Sequence, residues 1–255
     1  GTDRRYRSNG RPPSGWCAAP HPLGGFDVED DLLHVRVSGQ DSVSILHLSG
    51  LLVPGNYASL RDVLLMTALA EPAAIVADLT GLRVTPPLAS SVFRVVRDQV
   101  ASWPGVPILL TGAERGAVWD LPCFDTVEEA VASVGPPPRR WVVRMPLPRV
   151  GAPVFARLAA EEACRVWSLE RIGEPVTGVA AGLVDLVDRG LPRRPTIAFE
   201  RWRDLFVIAV GDDVPVRCDS WDLRRAVAAA PDRTERCGWS TTWTDGTLIW
   251  AVLRA

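Results

Sequence analysis

The stretch Gly135-Pro136-Pro137-Pro138-Arg139-Arg140 decides how this chain of 255 residues divides. Three consecutive prolines fix φ and supply no amide donors, so neither a helix nor a central strand runs through them. Before the break, strand and helix patterns alternate and end in a short acidic helix. After it come two long helices, a strand pair, a further helix and a Trp-rich strand pair. The sequence predicts a flexible tail over residues 1–30, a first unit over 31–135, a linker over 136–140 and a second unit over 141–255.

Composition narrows the function classes. With 47% hydrophobic and 23% charged residues, both units can build cores of ordinary size. A net charge of −2 gives no electrostatic reason to bind nucleic acid. No apolar run is long enough to span a bilayer, so a cytoplasmic location without membrane attachment is expected. The first 25 residues hold Gly, Pro and Arg without periodicity or an apolar h-region; they read as a tail and not as a signal peptide.

Cys17, Cys123, Cys164, Cys218 and Cys237 show no C-x-x-C spacing, which fits a reducing compartment better than a disulfide framework. With His21, His34 and His47 as the only histidines, no metal site is expected. Every basic side chain is Arg, a pattern that GC-rich codon usage explains; it also removes any lysine Schiff base or P-loop lysine.

In the first unit, Leu32–Val37 and Val43–Leu48 read as strands joined by a turn at Gly39–Ser42. Asn56 can cap a helix running to about Leu69, with Leu60, Val63, Leu64 and Ala68 on one face. Ala73–Leu79 is an uninterrupted apolar run, the mark of a strand buried on both faces. A helix over Leu88–Ser102, a strand over Val106–Thr111 and a final helix capped by Asp125 or Thr126 complete the unit.

This order, with Leu48-Ser-Gly-Leu51, Asp78-Leu-Thr-Gly81, Trp103-Pro-Gly-Val-Pro107 and Phe124-Asp-Thr-Val-Glu-Glu-Ala130, resembles the STAS domain of anti-sigma-factor antagonists. In that family a partner kinase phosphorylates a serine in the loop after Asp-Leu-Ser-Gly, and the added charge disrupts the complex. Here Pro86 and Pro87 stand at those positions. Proline has no hydroxyl, so the resemblance implies a fold without its switch. Thr85 and Ser90 flank the place and read first as loop and helix-surface residues.

In the second unit, Trp141–Met145 reads as an edge strand, and Val154–Trp167 and Val176–Asp188 read as helices. Thr196–Trp202 and Asp204–Val210 form a hairpin around Arg203, and Leu223–Ala230 can be a helix. Cys237–Leu253 is a hairpin with an Asp245-Gly246 turn. The order, together with the Gly-Trp pair and the Trp of the last strand, resembles the GHKL (histidine-kinase-like) ATPase domain of anti-sigma-factor serine kinases.

That chemistry needs an acid and a Mg²⁺-binding Asn on one helix, an Asp on the adenine amino group and a Gly-rich turn at the phosphates. In this chain Gly182 replaces the acid and Leu186 the Asn. Asp185 neighbours the missing Asn but lies about 100° around the helix. Asp212 or Asp213 stands where the adenine contact belongs, with a solvated turn as the simpler reading, and Ser220–Arg225 replaces the Gly-rich turn.

The expected architecture is thus α/β: a STAS-like mixed sheet with helices, then a Bergerat-type α/β sandwich with helices on one face of a mixed sheet, of the actinobacterial type. The resemblances imply a non-catalytic regulator that binds a sigma factor, an anti-sigma factor or an antagonist. Its interface candidates are Thr85, Pro86, Pro87 and Trp221. No cofactor is expected. An intramolecular contact between the units and a homodimer both stay open. Two alternatives stand beside this: a divergent kinase that keeps ATP and Mg²⁺, and a STAS-like sensor of a small ligand.

Overall fold

The structure is a computed structural model that describes residues 26–30, 32–40, 42–85, 91–112, 121–136, 140–187, 195–212, 218–242 and 246–255. It divides into two compact units. One comprises Gly1–Arg97 with Val106–Val134, and the other Asp98–Gly105 with Gly135–Ala255. The division after Val134 falls at the start of the proline run. The segment Asp98–Gly105, which the sequence places in the first unit, groups with the second.

The first unit is built on a six-stranded mixed sheet in the order β1-β2-β3-β4-β5-β6. Its strands are β1 (Phe26–Asp30), β2 (Leu33–Gln40), β3 (Val43–Leu52), β4 (Ile75–Val84), β5 (Ile108–Thr111) and β6 (Cys123–Phe124). Pairs β1–β2 and β2–β3 are antiparallel; β3–β4, β4–β5 and β5–β6 are parallel. The expected tail over residues 1–30 is corrected at its end. Phe26 and Val28 alternate with acids and pair with Val37 and Val35, so neighbouring β2 supplies the order that the acidic sequence conceals.

Alternation in β2 buries Leu33, Val35 and Val37 and leaves the residues between them partly or fully exposed. Helix α1 (Tyr57–Leu69) buries Leu60, Val63, Leu64 and Ala68, the face expected from their spacing. Asn56 is its N-cap residue without a side-chain cap bond: the amide of Val53 donates to Asn56 Oδ1, and Asn56 Nδ2 donates to Leu51 O. It braces the preceding turn instead of the helix. Helix α2 (Ser91–Val100) follows β4, and α3 (Val127–Ala132) is capped by Thr126, whose hydroxyl accepts from the Glu129 amide at 3.2 Å. Ala130 of α3 packs with Val43, Ile45, Val76 and Leu109, so α3 covers one end of a sheet face.

The second unit holds a five-stranded sheet in the order β10-β11-β9-β8-β7. Its strands are β7 (Trp141–Pro146), β8 (Thr196–Trp202), β9 (Leu205–Asp212), β10 (Thr234–Thr241) and β11 (Thr247–Arg254). Every pairing is antiparallel, where the sequence leads one to expect a mixed sheet. Strand β7 is an edge strand, as its position and its exposed Trp141 require.

Helices α4 (Ala152–Val166), α5 (Gly173–Val187) and α6 (Ser220–Ala226) share one core with the inward residues Ile197, Phe199, Phe206, Ile208, Ile249 and Ala251. Asp219 caps α6, accepting from the amides of Trp221 and Asp222 at 2.8 Å. The opposite sheet face is also buried. There Glu200 takes the Trp103 indole N–H at 2.9 Å and the Arg140 guanidinium at 3.0 Å, while Trp103 lies 5.7 Å from the Trp250 ring.

Candidate functional site

Helix α5 carries Gly182 and Leu186, and both positions are packed against protein. Leu186 is 4% exposed and belongs to the core of the second unit. Gly182 meets α6 at backbone contact: a Cβ there would stand 2.2 Å from the Ala226 carbonyl oxygen. One turn earlier, a Cβ on Gly178 would stand 2.5 Å from Ala229 Cβ. The small residues at i and i+4 let α5 and the α6 region approach more closely than any larger side chain allows.

Asp185 is exposed on the other side of α5 and joins nothing in that contact. Asp212 is 7% exposed at the end of β9, opposite Thr247 in the ladder, and it has a partner. A solvated turn is therefore corrected for Asp212: it is buried and held. Asp213, Pro86, Pro87 and Ser90 lie outside the described residues. Thr85 is exposed, and its amide donates to Leu52 O at 3.1 Å, extending the β3–β4 ladder. Trp221 is 63% exposed, with the Arg225 guanidinium 5.4 Å from its ring. Trp202 is buried, with the guanidinium groups of Arg140 and Arg203 4.9 Å and 4.8 Å from its ring.

In the first unit, ladder register places Arg36, His47, Asp78 and Thr111 side by side on β2, β3, β4 and β5. Asp78 belongs to the Asp-Leu-Thr-Gly stretch singled out in the sequence; Ser38 and His47 do not figure in any motif. The three side chains form a chain of hydrogen bonds. Ser38 Oγ lies 3.2 Å from His47 Nε2, and His47 Nδ1 lies 3.2 Å from Asp78 Oδ2. Asp78 Oδ1 accepts from the Thr80 hydroxyl at 2.7 Å and the Thr80 amide at 3.1 Å.

Burial pushes the Asp78 carboxyl up, but the Thr80 hydroxyl and amide and then His47 outweigh it, holding it below the ordinary range. An ionised carboxylate only accepts, so His47 Nδ1 carries the proton. Nε2 is then left as the acceptor for Ser38 O–H. His47 and Asp78 also line an open groove of about 430 Å³ with His34, Arg36, Ser49 and Gly81. The signal available in the sequence was the placing of ionisable residues within buried apolar runs: His47 between Leu46 and Leu48, and Asp78 between Ala77 and Leu79.

No protein-family model and no curated protein matches the chain. Solved structures do. An anti-sigma factor antagonist from Mycobacterium paratuberculosis is 18% identical at a TM-score of 0.35, over 42% of this chain and 97% of that one. A single-residue variant of RsbS from Moorella thermoacetica is 14% identical at a TM-score of 0.34, over 39% of this chain and 93% of its own. Among the described residues no helix is long and apolar enough to cross a membrane, and no cluster of His, Cys, Asp and Glu could hold a metal ion.

Proposed function

We propose that the chain is a protein-binding regulator of the sigma-factor partner-switching type, pairing an antagonist-like unit with a kinase-like unit that transfers no phosphoryl group. The observation that carries this reading is the packing at Gly182 and Leu186. Magnesium bound to ATP needs an oxygen or nitrogen ligand at the helix face, and a core leucine supplies neither. A carboxylate at position 182 has no room beside the Ala226 carbonyl. The order of strands and helices in the first unit, with the sequence pieces quoted above, supports the antagonist-like half.

Function then resides in surfaces that bind a sigma factor, an anti-sigma factor or an antagonist, without ATP or another cofactor. Exposed Thr85 and Trp221 mark where such surfaces begin. Calorimetric titration of Mg-ATP into the full chain tests the reading. No heat at millimolar nucleotide is the expected result. Micromolar binding overturns it in favour of a divergent kinase.

A further inference from the structure

We propose that Ser38 is a nucleophilic modification site, an acyl acceptor activated by His47 and oriented through Asp78. The proposal concerns the first unit alone and stands independently of the kinase-like reading of the second. It rests on three strands that meet in register. Ser38 and Arg36 share the partly exposed face of β2, His47 lies opposite Arg36 on β3, and Asp78 lies opposite His47 on β4. The serine–imidazole and imidazole–carboxylate distances, both 3.2 Å, are within the reach at which a base activates a hydroxyl.

Each link has a defined proton. Asp78, fixed by Thr80, accepts a hydrogen bond from His47 Nδ1–H, which keeps its proton throughout. The Nε2 lone pair takes the Ser38 proton as Oγ attacks an acyl carbon. The carbon–leaving-group bond breaks, and the imidazolium returns that proton to the leaving group. The products are O-acyl Ser38 and the protonated leaving group, with His47 restored to its starting tautomer.

The strand also limits the donor. Ser38 faces Ile45 in the ladder, so the local backbone is committed to the sheet and does not gather amides around an oxyanion. Acyl transfer here suits donors with good leaving groups, such as aryl esters, thioesters or acyl phosphates. His47 is half-buried and lines the groove, and Ser38 beside it is partly exposed, which leaves the pair open to such a donor from solvent.

The composition reduces the number of competing acceptors. The chain has no lysine to compete for acyl groups. Burial raises the thiol pKa of Cys123 and Cys237, and burial with the Glu170 charge pushes Cys164 up to about 11, so their thiolates are scarce near neutrality.

The full chain is incubated with p-nitrophenyl acetate, and acetyl adducts are mapped by peptide mass spectrometry against time. One acetyl group on Ser38 is expected, absent in Ser38→Ala. His47→Gln should slow acetylation of Ser38 about 100-fold in a variant that still unfolds cooperatively. Asp78→Asn, which no longer holds one imidazole tautomer, should slow it as well and serves if the histidine variant does not fold. Adducts confined to other residues, or Ser38 acetylated equally fast in a folded His47→Gln or Asp78→Asn variant, would overturn the proposal.

Discussion

A Cβ placed on Gly182 would stand 2.2 Å from the carbonyl oxygen of Ala226 and 2.9 Å from its Cα, both backbone atoms that cannot swing aside. Gly182→Ala should therefore lower the stability of the second unit by about 1–3 kcal/mol, read as a drop in the urea midpoint. Gly182→Glu, which forces a much larger side chain into the same contact, should abolish its cooperative unfolding. An unchanged midpoint for the alanine variant would mean that α5 and α6 can part freely.

Asp78 makes a different residue-scale prediction. Its folded-state carboxyl titrates below the ordinary 3.8, so on acidification the unfolded chain takes up the proton first. The stabilisation is therefore full above the ordinary aspartate range and is lost as pH falls through the lower, folded-state value. Asp78→Asn should flatten the dependence of stability on pH between about 5 and 3 while leaving its sign elsewhere unchanged. Urea midpoints measured at several acid pH values would show whether the slope persists.

At the scale of elements, α3 is a six-residue helix, too short to persist without its cap and its packing. Thr126 satisfies the Glu129 amide, Glu128 and Glu129 sit in the first turn where the helix dipole favours them, and Ala130 fills the cluster beneath. Thr126→Ala should cost about 1 kcal/mol, and Thr126→Ser should recover most of it. Thermal melts of the two variants side by side check this.

The same helix was legible in the sequence, because a cap followed by two acids and an alternating apolar face is local information. Strand β1 was not. Phe26 and Val28 are its only apolar residues, and their order comes from pairing with Val37 and Val35 on β2. The candidate site shows the same division. His47 entered the sequence reading only as one of three histidines, and its partner Asp78 is 31 positions away and is reached only through parallel register. Gly182 and Leu186 could be marked as departures from a resembled motif. That α6 fills the space beside Gly182 depends on tertiary approach, which no local pattern encodes.

On the scale of the whole molecule, the second unit is discontinuous in sequence: it takes Asp98–Gly105 as well as everything from Gly135 onward. The short segment supplies Trp103, 1% exposed, whose indole donates to Glu200 Oε2, and Pro104, whose carbonyl accepts from Arg140. Gly105, at φ +67°, packs against Trp202, where a Cβ would stand 2.1 Å from the ring. Glu200 and Arg140 form an ion pair whose side chains are only 5% and 14% exposed, so each neutralises a charge that would otherwise be buried alone. A fragment beginning at Arg139 keeps that pair but loses Trp103 and the Pro104 carbonyl, opening the sheet face around Glu200 and Trp250 to water. Removing a buried Trp alone costs about 3–5 kcal/mol, a large part of the stability of a unit this size. The fragment from Arg139 to Ala255 should unfold at a markedly lower urea concentration than the second unit does in the full chain. Trp103→Ala in the full chain should reproduce the larger part of the loss, whereas Trp103→Phe, which keeps much of the apolar contact and drops only the indole donor, should lose less. A fragment as stable as the intact chain would mean that Asp98–Gly105 merely rests on the sheet and contributes nothing to holding it.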